Sequence, residues 1–148
     1  MIKILVYGPK GKMGKAIVKK AEEHPNIKIV CAIAPKGRDY VGIDLGLVAG
    51  LGKSLNCIVS DQDELLLSQC NMVVECTHKK ASLEILKKCI EFKKPLVSGT
   101  TGFYLQDKNE FEKAKEKKHH DLYIFFLQRK DFTKPLNFRE ISKKFFKI

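Results

Sequence analysis

The chain of 148 residues is long enough for one domain with a hydrophobic core of its own. Its 44% apolar and 30% charged residues are typical of a globular protein, and no apolar run reaches the length of about 18 residues that a membrane-spanning helix needs. The net charge of +11 comes from dispersed lysines, with only Arg38, Arg129 and Arg139 as arginines, which disfavours specific nucleic-acid binding.

The cysteines and the N-terminus indicate a cytoplasmic protein. Five cysteines occur without a CxxC pair, and the apolar run before Gly8 is too short for a signal peptide. We therefore expect reduced, mostly buried thiols and no metal site.

The first elements in the chain are a strand and a helix. The continuous apolar run at 2–7 predicts a strand that is buried on both faces, as in a parallel sheet. A helix is predicted at 12–23, because Met13, Ile17 and Ala21 recur there at helical spacing.

The turn between them, GPKGKMG, contains Gly8, Gly11 and Gly14. The N–H groups and dipole of a following helix favour an anion at such a turn, and Lys10, Lys12 and Lys15 add positive charge beside it. The spacing GxxGxxG is one residue longer than the usual dinucleotide fingerprint GxGxxG. Taken alone, the turn is therefore either a phosphate-binding loop or a plain connection.

A second strand is predicted at 27–34, and its end bears on the cofactor. Dinucleotide-binding folds often place a carboxylate there to bind the ribose hydroxyls. Here Ala34 occupies that position, the first carboxylate is Asp39, and Lys36 and Arg38 lie between. These two cations either hold the 2′-phosphate of NADP or belong to a solvated loop; we favour NADP over NAD.

The middle of the chain combines a long loop with short elements. Segment 35–55 is rich in glycine and is predicted to be a loop with one helical turn, of a length that is usually functional or mobile. A short strand at 56–60 and a helix at 61–69 follow, with Asp61 as the N-cap and Glu64 three residues on.

The remaining pattern continues the alternation of strands and helices. Strands are predicted at 71–76, 94–98 and 122–127, and helices at 79–92 and 105–120. Alternation at this rhythm predicts an α/β fold, namely a Rossmann-like, doubly wound parallel sheet.

Two later turns share the predicted edge of the sheet with the glycine turn. ECTH (75–78) follows one strand, and SGTTGF (98–103) follows the next. Because the carboxyl ends of parallel strands meet at one edge, we expect the three turns to converge on one crevice.

These motifs, together with VGIDLGLVAG at 41–50, resemble the dihydrodipicolinate reductases over about residues 2–126. The resemblance implies an NAD(P)H-dependent oxidoreductase of lysine and diaminopimelate biosynthesis, which passes a hydride to an unsaturated cyclic dicarboxylate. It implies two groups of cofactor-binding residues. The group that would wrap the pyrophosphate is Gly8, Pro9, Lys10, Gly11, Lys12 and Met13. The group that would lie at the nicotinamide end is Thr77, Gly99, Thr100 and Thr101.

The sequence departs from the family's pattern at two strand ends. Ala34 and Pro35 replace an acidic residue and the arginine that often follows it, and Glu75-Cys76-Thr77 replaces the family's Asp-Phe-Thr. Cys76 thus removes an aromatic wall that the resemblance implies beside the nicotinamide.

A larger departure follows the strand at 122–127, where the family continues into a substrate-binding and tetramerisation domain. No segment here matches it, so the resemblance implies the cofactor domain alone, over 1–127, with a divergent basic tail over 128–148. The catalytic residues stay unassigned, because His119-His120 precedes the strand and lacks the lysine of the family's His-His-x-x-Lys motif. We expect a weak or inactive reductase or, alternatively, a non-catalytic remnant that binds a dinucleotide or a partner.

The tail at 128–148 can form a short amphipathic helix with Asn137 as its cap. Three interpretations are open: the helix covers a sheet edge, it binds a membrane surface or partner, or the tail is an out-of-frame remnant. We favour a frame-shift as the origin of the tail and the covered sheet edge as its physical consequence.

Overall fold

The structure, a computed structural model, describes residues 1–100, 109, 112–113 and 124–126. Strands and helices alternate along the described part of the chain. The strands are β1 (Ile2–Tyr7), β2 (Ile27–Ile33), β3 (Val59–Ser60), β4 (Met72–Glu75), β5 (Leu96–Ser98) and β6 (Ile124–Phe126). The helices are α1 (Lys12–Glu22), α2 (Leu45–Val48), α3 (Asp63–Leu67) and α4 (Lys79–Glu91).

The strands form one six-stranded sheet in the order β3-β2-β1-β4-β5-β6, and every strand pairing in it is parallel. The strand order reverses between β1 and β4, which are neighbours in the sheet. This order is that of a Rossmann fold, so the predicted doubly wound sheet is confirmed. Ligands of such sheets bind at the point of reversal, outside the carboxyl ends of the strands.

Helix α1 covers one face of the sheet with the predicted apolar stripe. Ile17 and Ala21 are buried, and Met13 is half-buried at the start of the helix. Val18 is also buried, and the stripe packs with the core residues of β1 and β2. Burying a side chain such as Ile17 completely stabilises the fold by about 1.5–3 kcal/mol.

Helices α3 and α4 contribute to the core on the other face. Ile85, Leu86 and Cys89 of α4 pack in one cluster with Leu67 of α3 and with Leu5 of β1. The middle strands are therefore covered on both faces, which explains why their sequences are continuously apolar.

The thiols are buried, as expected from their apolar surroundings. Cys31, Cys57, Cys70 and Cys89 are buried, Cys76 is half-buried, and all five are free. Burial raises the pKa of Cys57 and of Cys70 to about 11, because a thiolate is poorly solvated there.

The predicted start of α3 is wrong. The residue before the helix is Gln62, without a side-chain capping bond, and Asp61 lies outside. The Ser60 hydroxyl accepts the N–H of Gln62 at 3.0 Å, so a turn centred on Ser60 and Asp61 precedes the helix. The helix is consequently shorter than the predicted 61–69.

The glycine-rich loop is organised around Asp44, the N-cap of α2. Its carboxylate accepts the N–H of Gly46 (2.8 Å), Leu55 (2.9 Å) and Cys57 (3.2 Å) and the hydroxyl of Ser54 (3.0 Å). These donors, the Leu55 N–H foremost, lower the pKa of Asp44 to about 2. The predicted single helical turn is α2.

Several predictions lie outside the described residues, namely Thr101, His119-His120, the tail 128–148 and most of the helix 105–120. Residues 109 and 112–113 of that helix are helical. In the part of the chain that the structure describes, no helix is long and apolar enough to cross a membrane. The same part contains no cluster of metal-ligating side chains.

Candidate functional site

The predicted site residues lie mainly where the strands end. The Gly8 N–H donates to the Ile33 carbonyl at 2.9 Å, and the Cys76 N–H donates to the Tyr7 carbonyl at the same distance. The Gly99 N–H donates to the Glu75 carbonyl at 2.8 Å. These bonds fix the turns after β1, β4 and β5 side by side, as the sequence predicts.

Gly8 lies in direct contact with the turn after β4. Its φ of +84° is strained for any residue with a Cβ atom. A Cβ at this position would lie 2.6 Å from the Cys76 carbonyl oxygen and 2.7 Å from the Thr77 Cγ2. The first glycine of the motif is thus required by the close approach of two backbone segments.

Gly14 and Gly11 differ in their surroundings. A Cβ on Gly14 would overlap the Gly8 carbonyl oxygen and lie 2.8 Å from the Cα of Pro9, so this glycine lets α1 pack on the turn. A Cβ on Gly11 would meet no described atom within 4 Å. Gly11 is exposed and opens a space in front of the helix.

The N-terminus of α1 provides donors at this space. Gly11 is the N-cap and offers no side-chain capping bond, and the first intrahelical bond of the turn joins the Lys15 N–H to the Gly11 carbonyl at 2.9 Å. The first N–H groups of a helix lack intrahelical acceptors and carry the positive end of its dipole. Lys12, the first residue of α1, is exposed beside them. The arrangement suits a bound anion such as a phosphate.

Met13 links the glycine turn to the turn after β5. A Cβ on Gly99 would overlap the Met13 sulfur and lie 3.3 Å from the Cys76 sulfur. Gly99 is buried, and Met13 and Cys76 are half-buried. Cys76 therefore packs beside the turn after β5.

A further contact connects the glycine turn to the segment after β2. The Lys10 ammonium lies 2.9 Å from an Asp39 carboxylate oxygen and 4.9 Å from the centre of the Tyr40 ring. The Lys10 hydrogen bond lowers the pKa of Asp39, and burial raises that of Tyr40. Both charged side chains are largely exposed, so solvent screens the pair and it adds little to stability. The sequence shows Asp39 only as the first carboxylate after β2, and its contact with Lys10 of the glycine turn was not predicted.

Lys36 and Arg38 are both exposed in this segment. Arg38 lies near enough to Asp39 and Tyr40 to lower the pKa of each. Lys36 instead reaches an open groove of about 620 Å³ beside α3 and α4, which Asp61 and Gln62 also line. The two cations predicted to act together thus face partly different surroundings.

Glu75 is a site residue that sequence reasoning treated only as a departure from the family. It ends β4 and is fully buried, and its carboxylate accepts hydrogen bonds from Thr77, Ser82, Ser98 and Thr100. The signal in the sequence was the presence of polar residues within otherwise apolar segments, since buried polar groups require partners.

The strand order, the glycine turn at the point of reversal and the open helix N-terminus define a Rossmann-like domain of the class that binds dinucleotides. The chain belongs to the dihydrodipicolinate reductase family: the family model described as dihydrodipicolinate reductase, N-terminus, matches residues 2–127.

Among curated relatives, a 4-hydroxy-tetrahydrodipicolinate reductase from Wolbachia pipientis subsp. Culex pipiens (strain wPip) is 36% identical over 101 residues. The alignment covers 68% of this chain and 38% of that protein. The enzyme of the same name from Pseudoalteromonas atlantica is 30% identical over 116 residues, which cover 78% and 43% of the two chains. The chain therefore matches less than half the length of either relative.

Solved structures share the fold. A dipicolinate-bound dihydrodipicolinate reductase from Paenisporosarcina sp. TG-14 superposes with a TM-score of 0.66 at 22% identity, covering 85% of this chain and 46% of that one. GenD2 from gentamicin A biosynthesis, in complex with NAD, gives a TM-score of 0.66 at 16% identity, covering 84% and 34%.

Proposed function

We propose that the chain binds NAD(P)H as the cofactor domain of a 4-hydroxy-tetrahydrodipicolinate reductase. The observation that carries the proposal is the open space at Gly11, in front of the uncapped N-terminus of α1 and at the point where the strand order reverses. A dinucleotide brings a pyrophosphate, which accepts the hydrogen bonds that this helix end offers. Membership of the reductase family favours a nicotinamide dinucleotide.

Two groups of residues would hold the cofactor under this proposal. The group that would surround the pyrophosphate is Gly8, Pro9, Lys10, Gly11, Lys12 and Met13. The group that would lie at the nicotinamide end is Thr77, Gly99, Thr100 and Thr101. When bound, a reduced nicotinamide supplies a hydride, and the residues of this chain orient the ring and fix the phosphates.

The segment after β2 would select between NADPH and NADH. Lys36 and Arg38 add two cations on the adenosine side of the site, and Asp39 adds one carboxylate that Lys10 already neutralises. A 2′-phosphate gains from the two cations, so we propose NADPH as the preferred cofactor, with NADH as the weaker one.

The chain by itself would turn over little substrate. It matches only 38% of one relative and 43% of another. We propose that residues 1–127 form the dinucleotide-binding unit, that residues 128–148 form a separate tail, and that a small cyclic dicarboxylate is the substrate of the complete enzyme.

A fluorescence titration of NADPH and NADH tests the binding step. The chain has no tryptophan, so the emission of the reduced nicotinamide can be followed without tryptophan interference. We expect saturable binding of both, and Gly11→Ala should weaken it at least tenfold, while the free energy of unfolding falls by only about 0.5–1 kcal/mol. Absence of binding by the wild-type chain would refute the proposal.

Two further measurements separate the rival explanations. Attraction through the net charge alone would fall steeply with salt and would affect any polyanion. Steady-state reduction by the purified chain tests the proposed low activity, and a turnover rate like that of a full-length reductase would overturn it.

A further inference from the structure

Glu75 is a fully buried carboxylate whose hydrogen-bond partners belong to the turn after β4, to the end of β5 and the turn after it, and to α4. Its Oε1 accepts the N–H of Thr77 at 2.7 Å, the Thr77 hydroxyl at 2.5 Å and the Thr100 hydroxyl at 2.6 Å. Its Oε2 accepts the hydroxyls of Ser82 at 2.8 Å and Ser98 at 2.6 Å.

The donors are four hydroxyls and one backbone N–H, and among the described residues no lysine or arginine forms an ion pair with Glu75. A buried carboxylate is strongly destabilising unless its oxygens are satisfied. Here five hydrogen bonds satisfy them. The network therefore holds both turns in one arrangement relative to α4.

The network also sets the direction of the Thr77 and Thr100 hydroxyls, because their bonds to Oε1, at 2.5 Å and 2.6 Å, are much shorter than the 3.4 Å from the Thr77 Oγ1 to the His78 carbonyl oxygen. A hydroxyl has one proton to donate and lone pairs that accept. Once the Thr77 and Thr100 hydroxyls donate to Oε1, each has only lone pairs left for another group. Thr77 is half-buried, and its turn contacts Gly8 at the mouth of the crevice.

We propose that Glu75 is a positioning residue that turns the half-buried Thr77 hydroxyl into a hydrogen-bond acceptor at the nicotinamide end of the site, while the buried Thr100 hydroxyl braces the same carboxylate oxygen. The inference rests on the proposed cofactor binding. The matching ligand group must be a donor, and the carboxamide NH₂ of the nicotinamide is that kind of group. An analogue with a carbonyl but no NH₂ lacks the donor and leaves the accepting Thr77 oxygen without a partner.

The experiment compares NAD with its acetylpyridine analogue, in which a methyl ketone replaces the carboxamide. Each displaces NADH from the full-length 148-residue chain, followed by nicotinamide fluorescence. We expect the analogue to bind about tenfold more weakly than NAD, the effect of losing one hydrogen bond that a fixed acceptor requires. Equal binding of the two would overturn the inference and leave the proposed function intact, whereas no binding of NADH would refute the proposed function, and the inference with it.

Variants separate hydroxyl orientation from the charge of Glu75. Glu75→Gln keeps an oxygen for the two threonines, and its NH₂ can meet the hydroxyls of Ser82 and Ser98, which can rotate to accept. We therefore expect Glu75→Gln to retain the preference for NAD. Glu75→Met removes both acceptors, frees the threonine hydroxyls to donate, and should reduce the preference to about twofold or less.

Two controls keep the result interpretable if Glu75→Met fails to fold. Thr77→Val removes an accepting oxygen directly and should weaken NAD while leaving the acetylpyridine analogue unchanged. Asp44→Asn disturbs a comparable carboxylate network in the loop before β3 and should leave the ratio of the two affinities unaltered. Loss of the preference in Asp44→Asn, or its persistence in both Glu75→Met and Thr77→Val, would contradict the assignment to Glu75.

Discussion

Replacing Gly8 by alanine tests whether the glycine turn is closed by the contact with the turn after β4. The φ of +84° costs an alanine about 1–2 kcal/mol. The added Cβ would also lie 2.6 Å from the Cys76 carbonyl oxygen and 2.7 Å from the Thr77 Cγ2, an overlap that costs about 1–3 kcal/mol. We therefore expect Gly8→Ala to lower the free energy of unfolding by about 2–5 kcal/mol, a large part of the stability of an ordinary domain.

Urea denaturation of the wild-type chain, Gly8→Ala and Gly11→Ala measures the difference. Gly11→Ala is the matched control, because the same methyl group enters open space at a φ of −66°. Replacing glycine by alanine at an N-cap costs about 0.5–1 kcal/mol. If Gly8→Ala destabilised the chain no more than Gly11→Ala does, the close approach of the two turns would be wrong.

Three other outcomes follow from charges and burial. The pKa of Asp44 in the folded chain, about 2, lies below its ordinary value of 3.8. Its carboxylate therefore stabilises the fold above about pH 4, and this stabilisation is lost as the pH falls toward 2. We expect Asp44→Asn to make the melting temperature fall less steeply over this acid range. Lys36→Ala combined with Arg38→Ala should weaken NADPH about tenfold, equivalent to about 1.4 kcal/mol, and leave NADH unchanged in the same titration. Because Cys57 and Cys70 have pKa values of about 11, roughly one thiol in a thousand is ionised at about pH 8, and both should react with a disulfide reagent only after unfolding.

Each of these outcomes has a result that would contradict it. If the melting temperatures of the wild-type chain and of Asp44→Asn fell equally from neutral to acid pH, the Asp44 network would not stabilise the loop. Equal losses of NADPH and NADH affinity would mean that Lys36 and Arg38 do not distinguish the 2′-phosphate. Rapid labelling of Cys57 or Cys70, identified by peptide mass in the folded chain, would contradict their burial.

The sequence predicted the sheet because its signals are local. The apolar run in β1 and the helical stripe through Ile17 and Ala21 each lie within one element. In the structure, these apolar residues are buried as predicted. Asp61 was wrongly predicted as a helix cap because the chain makes a local turn there, in which the Ser60 hydroxyl accepts the Gln62 N–H, and the helix begins only after Gln62. The conformation of that turn is not determined by the residue types alone.

The parts of the site that were missed depend on distant partners. Asp39 reaches Lys10 across 29 positions of sequence, and Glu75 reaches Thr100 across 25. Neither pair has a spacing that marks it in advance. The glycine motif, by contrast, was visible because its glycines recur at a local spacing and Gly14 approaches the Gly8 carbonyl within the motif, although the contacts that require Gly8 are with Cys76 and Thr77.

The loop that Asp44 organises has a consequence for the outer edge of the sheet. Among the described strands, β3 is the last on its side of the sheet, and the outward backbone groups of Val59 are occupied by the chain's own loop. The Val59 N–H donates to the Ile43 carbonyl at 3.0 Å, and the Val59 carbonyl accepts the Gly42 N–H at 2.8 Å. An open strand edge is a template on which other chains add strands and aggregate. Asp44 thereby helps to keep this edge closed to strands from other copies, so its loss would endanger solubility as well as the shape of the loop.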